Sequence, residues 1–220
     1  MYKFVKRFFD LVLSAILLII LLPLFIPIII GLKLTGEGEI FYFQKRIGFK
    51  NKNFFIWKFA TMLKNSPNIG TGYITLRNDP RVTPMGAFLR KTKINELPQI
   101  INVLKGDLSV VGPRPLVDKT FNIYSTEIQN KIYNVKPGIT GIGSVIFRDE
   151  EKLISESKMN PQEYVQQYIV PYKGDLEMWY QKHVSFYTDF MIIFLTAWVI
   201  VFPSSEMPYK VFKSLPKRPF

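Results

Sequence analysis

The sequence contains no cysteine and a single histidine, His183. The first absence excludes disulfides, thiolate metal sites and a cysteine nucleophile. The second argues against a histidine-rich metal centre and a Ser-His-Asp triad. Acidic residues are also scarce, 17 against 29 Lys and Arg in 220 positions, for a formal net charge of +12. Chemistry therefore falls to the few carboxylates, to Lys and Arg, to hydroxyls, or to a metal held by oxygen ligands. The basic excess leaves nucleic acid, an anionic membrane surface or phosphate-bearing substrates as partners. What is abundant is apolar surface: 48% of residues are hydrophobic and 15% aromatic, which is not the composition of a disordered basic chain. The length suits one compact domain with an appendage.

Residues 11–32 carry no charge, and 22 such positions are enough to cross a hydrocarbon core of ~30 Å. The run is too long for a cleaved leader and lacks a small-x-small cleavage site before Lys33. Pro23 and Pro27 fall inside it and predict a kink near mid-segment. Basic residues flank both sides, Lys3, Lys6 and Arg7 before and Lys33, Lys45 and Arg46 after, so charge assigns neither flank to the far side of a membrane. A spanning helix and a hairpin that enters and leaves by one face both fit. A second apolar run, residues 190–202, is too short to span and reads as an interfacial or core helix. The mixed basic and aromatic tail, residues 209–220, reads as membrane-surface adhesion or disorder.

The polar remainder predicts an α+β domain, mainly helical. Residues 39–44 and 54–59 read as two strands of a hairpin, and residues 64–84 as loop. A helix over 85–91 follows, opened by Pro84, and another over 96–104 with Asn95 as its cap. Residues 122–133 and 160–168 read as amphipathic helices, with 136–141 as a rigid turn between them. The basic residues are spread along the chain without a helix-turn-helix or RNA-binding signature, so no nucleic-acid partner is expected.

Arg114 stands between Pro113 and Pro115, which hold the backbone on either side of a guanidinium suited to bidentate phosphate contact. Arg90, Lys91 and Lys93 add cations near the start of the 96–104 segment. Asn95, Glu96 and Asp107 supply an amide and two carboxylates able to hold Mg²⁺ or act toward a phosphate substrate. Each also has an ordinary reading, as helix capping, a proline turn or a solvated basic face.

Together the motifs resemble the bacterial sugar transferases, the monotopic phosphoglycosyl transferases. They are Lys6-Arg7-Phe8-Phe9-Asp10, residues 40–62, residues 89–99 (LRKTKINELPQ), residues 102–116 (NVLKGDLSVVGPRPL) and Lys136-Pro137-Gly138-Ile139-Thr140-Gly141, with Asp175, Tyr180 and Asp189 before the last apolar stretch. The resemblance implies a re-entrant helix-break-helix over residues 1–35, a cytosolic catalytic domain over 36–189 with a β-hairpin and short interfacial helices, and an interfacial helix and tail over 190–220. It implies transfer of a phospho-sugar from a UDP-sugar to polyprenyl phosphate with release of UMP, Mg²⁺ as cofactor, contact with anionic lipid, and residence at the cytosolic face of a bacterial inner membrane. Oligomeric state stays open. By position, Lys58, Arg90, Arg114 and Arg148 match cations that grip substrate phosphates, and Glu96 and Asp107 match carboxylates placed for catalysis and metal.

At one position the chain departs from the pattern in a way that bears on mechanism. Asn95 stands where the family has the aspartate that attacks phosphorus, and a carboxamide cannot make that attack. Ala60 replaces a usual arginine, and residues 142–147 differ before Arg148, which Asp149, Glu150 and Glu151 follow at once. Four routes follow: Glu96 as nucleophile, direct transfer between substrates, a carboxylate recruited from Asp149, Glu150 or Glu151, or a non-catalytic relative that binds polyprenyl phosphate or nucleotide-sugar. Sugar specificity is expected in residues 64–79 and 142–170.

Overall fold

The computed structural model describes residues 2–70, 75–76 and 78–220. Helix α1 (Tyr2–Leu34) carries Pro23 and Pro27 inside it. The helix-break-helix that the resemblance implies is not a break in secondary structure: the helix is continuous, about 50 Å at 1.5 Å per residue. Both prolines lie on its exposed face, so their missing N–H groups leave intact the side that meets the rest of the protein. That side is a stripe at spacings of three and four, Asp10, Ser14, Phe25, Ile28 and Leu32, with Leu18 and Leu21 partly covered between them. The opposite face leaves Ile19, Ile20, Leu22, Ile26 and Ile30 more than half exposed.

Strands β1 (Phe41–Ile47) and β2 (Asn53–Phe59) form the expected antiparallel hairpin, Phe41 opposite Phe59 and Ile47 opposite Asn53. Next come α2 (Pro84–Lys91), capped by Thr83, whose hydroxyl accepts from the Gly86 N–H at 3.0 Å, and α3 (Gln99–Lys105). Asn102 of α3 is fully buried and ties it to the hairpin. Its Oδ1 accepts from the Trp57 N–H at 2.9 Å, and its Nδ2 donates to the Phe55 carbonyl at 2.8 Å and to Asp107 Oδ2 at 3.1 Å.

Residues 136–141, expected as a turn, contain a strand. β3 (Ser109–Val111) and β4 (Gly138–Thr140) pair in parallel. The local sequence conceals this because the pairing brings backbones too close for side chains: a Cβ on Gly138 would lie 2.1 Å from the Gly112 nitrogen. The expected helix over 122–133 is shortened to α5 (Thr126–Ile132), with a separate turn of helix, α4 (Asp118–Phe121), before it, since Ser125 caps a new helix through the Ile128 N–H. Beyond α6 (Ile142–Ile146) and α7 (Glu150–Glu156), the predicted 160–168 helix runs much further. It comprises α8 (Pro161–Tyr164), a π turn (Val165–Ile169) and α9 (Val170–Lys182). Pro171 cannot donate to the carbonyl four residues back, and the widened turn sits where that bond is lost.

Helix α10 (Phe186–Val201) buries Ile192, Leu195 and Val199 and exposes Phe186, Tyr187, Phe190, Phe194 and Val201, so the second apolar run is a core helix on one side and a bare apolar surface on the other. The tail is neither disordered nor free. It forms α11 (Met207–Val211), and Phe212 and Leu215 join the main core with Ile132, Ile142, Ile169, Leu176 and Tyr180. Its basic residues alternate with apolar ones that find the core, a pattern that resembles a surface-adhesive segment in sequence.

α1 meets this domain near both of its ends. Arg7 donates to the Val103 and Leu104 carbonyls at 2.6 and 3.0 Å, and Asp10 Oδ1 accepts from the Val110 N–H at 3.0 Å. Lys6 and Tyr2 both bond Asp189, at 2.5 and 2.6 Å. Near the other end Phe25 packs edge-on against Phe59. Replacing Asn102 by Ala strands the Trp57 N–H and the Phe55 carbonyl inside the protein; a loss of about 2–4 kcal/mol is expected, read as a lowered thermal midpoint of the detergent-purified protein.

Candidate active site

Glu96 does not open the predicted 96–104 helix. Residues Ile94–Glu96 form a single 3₁₀ turn, entered through Lys93 at φ +61°, and α3 begins only after Pro98. The left-handed Lys93 opens this turn as a separate element, and α3 then starts from Pro98, which a helix start tolerates because the first N–H groups of a helix have no partner within it. Asn95 consequently caps no helix. It is 6% exposed, and its Oδ1 is buried without a hydrogen-bond partner.

The same turn aims Glu96 at two cations. Lys58 Nζ, from β2, and Arg114 Nη2, from the loop after β3, both donate to Glu96 Oε1 at 2.8 Å. The Arg114 loop is held from behind: Tyr133 donates its hydroxyl to the Arg114 carbonyl and accepts from the Leu116 N–H, each at 2.9 Å. Arg46, buried next to them, donates to the Pro115 carbonyl at 3.0 Å and to Gln44. Burial would raise the Glu96 carboxyl, but Arg114 and Lys58 together hold it well below the usual range. The cations show the converse: burial, reinforced by Arg114 and Arg46, pushes Lys58 down to about 8 despite its bond to Glu96, and burial and then Arg114 push Arg46 to about 10. Lys93 is lowered by burial and by Arg114 and Arg148. Positive charge is thus packed to the point where its own repulsion is felt, the condition under which a polyanion binds.

Of the other predicted residues, Arg148 belongs to this cluster through its field on Lys93, and its Nε is buried and unpartnered. Arg90 pairs with Glu151 at 2.5 Å. Glu150, from the same acidic run, pairs with Lys173 at 2.7 Å. Asp107 stands elsewhere: it accepts from Asn102 and lies 4.0 Å from Lys105, sharing no partner with Glu96. Among the described residues no three His, Cys, Asp or Glu side chains gather as a metal-binding group. Part of the 64–79 stretch lies outside the described residues.

Glu177 was not legible as a site residue. It is 4% exposed, hydrogen-bonds the Arg114 backbone and leaves Oε2 without a partner. Its Oε1 would sit 2.7 Å from a Cβ on Gly143. Burial drives it up to about 8, so the folded state holds it neutral. Arg46 was likewise visible only as one more basic residue in the hairpin.

A family model described as bacterial sugar transferase matches residues 1–203. The chain belongs to the bacterial sugar transferases. The sugar-transferase chain is 34% identical over 216 residues to the undecaprenyl-phosphate galactose phosphotransferase of Salmonella typhimurium, covering 90% of this chain and 41% of that protein. It is 30% identical to the exopolysaccharide production protein ExoY of Rhizobium meliloti, covering 87% of this chain and 83% of that protein. It is 34% identical to the UDP-glucose:undecaprenyl-phosphate glucose-1-phosphate transferase of Escherichia coli, covering 88% of this chain and 39% of that protein. The chain therefore spans about two-fifths of the Salmonella and E. coli relatives and most of the Rhizobium one.

Because Glu177 has a raised pKa in the fold and an ordinary one when unfolded, the folded state binds the extra proton. Its contribution is complete below pH ~4.5 and declines as pH rises through about 8. The thermal midpoint is expected to fall between about pH 5 and 8, and Glu177→Gln to flatten that slope.

Proposed function

We propose that this protein transfers a phospho-sugar from a UDP-sugar to undecaprenyl phosphate, releasing UMP, as the first membrane step in building a bacterial surface glycan. The observation that carries the reading is Glu96 bridging Lys58 and Arg114, with Arg46, Lys93 and Arg148 crowded around. Glu96, together with Glu150 and Glu151, which each have a cation of their own, is outnumbered by the surrounding Lys and Arg, which leaves a net positive charge to be met by a donor diphosphate and an acceptor phosphate. The names of the relatives supply the donor and acceptor classes.

In this reading the reaction is direct. An acceptor phosphate oxygen bonds to the sugar-linked phosphorus while the bond from that phosphorus to the UMP oxygen breaks, and UMP leaves with the electron pair. The acceptor is already an anion, so no base is required, and the work left to the protein is positioning and charge neutralisation. Lys58, Arg114 and Arg148 grip the phosphates. Glu96 holds Lys58 and Arg114 in place. Its own Oε1, shared between two cations, is a weak nucleophile. Glu150 and Glu151 are engaged with Lys173 and Arg90, which argues against their recruitment as the attacking group. For Mg²⁺, the Glu96–Asp107 pairing does not fit, since the two carboxylates have separate surroundings. Glu96 with the donor phosphates does fit, because Oε2 carries no bond among the described residues, and the ion would neutralise diphosphate charge there.

The membrane arrangement follows from α1. A helix whose Arg7 and Asp10 touch the same domain as its Phe25 and Leu32 cannot place that domain on one side while crossing to the other. This supports a re-entrant helix with the domain at the cytosolic face of the inner membrane. A second reading, a non-catalytic relative that binds donor or acceptor, is favoured by one observation, the uncharged Asn95.

The test is UMP release by the purified protein across a panel of UDP-sugars with undecaprenyl phosphate and Mg²⁺. Turnover is expected, with Glu96→Gln slowing it ~100-fold or more, Asn95→Asp leaving it within about threefold, and intact mass after incubation with donor alone showing no adduct. Inert wild type with an active Asn95→Asp variant would establish the non-catalytic reading, and a phospho-sugar adduct would replace direct transfer by a covalent route. The absence of native cysteine makes topology directly testable. Single cysteines at Lys3 and Glu39 should both resist an impermeant maleimide in intact spheroplasts and both react in inside-out vesicles; opposite behaviour of the two would establish a spanning helix.

A further inference from the structure

The match to the family model ends at residue 203, yet the chain after it reaches back to the site. α6 ends at Ile146, and its last carbonyls have no partner further along the helix. Arg218 supplies one: its Nη2 donates to the Ile146 carbonyl at 3.0 Å. The same guanidinium lies 5.3 Å from the centre of the Phe147 ring, which also has Lys173 Nζ at 5.1 Å, the ammonium paired with Glu150. Phe147 itself is 5% exposed. Two residues flanking Arg148 on its N-terminal side are thus fixed by a cation from the tail, and Glu150 on the other side is fixed through Lys173.

The tail is well placed to exert this hold because it is itself anchored at several points. Phe212 and Leu215 are buried, Trp179 Nε1 donates to Ser214 Oγ at 2.9 Å, and the Tyr172 hydroxyl donates to the Pro216 carbonyl at 2.8 Å. Phe220 closes the strap against Tyr164, Tyr168 and Tyr172.

We infer that Arg218 is a positioning residue for donor binding: it caps α6 and holds Phe147, and so sets where the neighbouring Arg148 presents its guanidinium to a substrate phosphate. Capping of a helix end by a cation is favourable wherever it occurs. The specific content is that this cap falls on the last residue of the helix, two residues from a site cation. The catalytic residues keep their places without it, so its loss is felt in binding rather than in the chemical step.

The inference rests on the transferase reading for its kinetic readout, and binding of UDP provides a second one. In the full chain, Arg218→Ala is expected to raise the KM for UDP-sugar and the Kd for UDP ~5–10-fold, the scale of coupling between neighbouring groups, with kcat within about twofold. Arg218→Lys, which can still donate to the Ile146 carbonyl, should recover part of the loss. In an Arg148→Ala background Arg218→Ala should add nothing, because the two act on one contact. Unchanged KM and Kd in Arg218→Ala, with or without a lower thermal midpoint, would overturn the inference, as would effects of the two substitutions that simply multiply. If the wild type turns over no UDP-sugar but binds UDP, the transferase reading fails and the Kd comparison still decides the role of Arg218.

Discussion

Three distant segments are brought together by one oxygen. Glu96 Oε1 accepts from Lys58 on the hairpin and from Arg114 on the loop after β3, and both bonds start from a turn that no helix contains. A buried ion pair is a poor source of net stability, because desolvation offsets most of its attraction. Its value is geometric: removing the carboxylate would leave Lys58 and the part-exposed Arg114 facing each other with Arg46 close by and nothing to offset their repulsion. The hairpin, the 3₁₀ turn and the parallel β3–β4 pair can be understood as the scaffold that makes this meeting repeatable.

That scaffold is itself tied together by side chains reaching backbone. Asn102 satisfies the hairpin edge, Tyr133 satisfies the Arg114 loop, and Arg7 satisfies the end of α3. Few strands and short helices leave many backbone groups outside regular structure, and each must find a partner when buried. The number of polar side chains in the interior is a consequence of this architecture.

The hairpin, α2 and the apolar character of α1 and α10 were legible because each is encoded locally, by alternation, by a capping Thr-Pro pair or by unbroken hydrophobicity. The motifs singled out Lys58, Arg114 and Arg148, and the fold brings the first two onto one carboxylate and the third near Lys93. What the sequence concealed depends on distant contact. β4 looks like a turn because Gly138 and Gly141 serve a close backbone approach that involves Gly112, and the tail looks adhesive because the core that receives Phe212 is built from segments 30 to 80 residues earlier. Glu177 was invisible because its surroundings come from the distant Arg114 backbone, and Asn95 was misread as a cap because the left-handed Lys93 makes residues 94–96 a separate turn before the true helix start.

The bond between Asp10 and the Val110 N–H has a temporal side. The two residues are 100 positions apart, and Asp10 leaves the ribosome well before its partner. At typical synthesis rates its partner follows roughly 5–20 s later. During that interval the helix has its apolar face ready for lipid while its carboxylate and Arg7 have nothing to bind. Final seating of the helix is therefore a late event, completed only when β3 exists, and the order of assembly runs from the domain back to a segment made well before it.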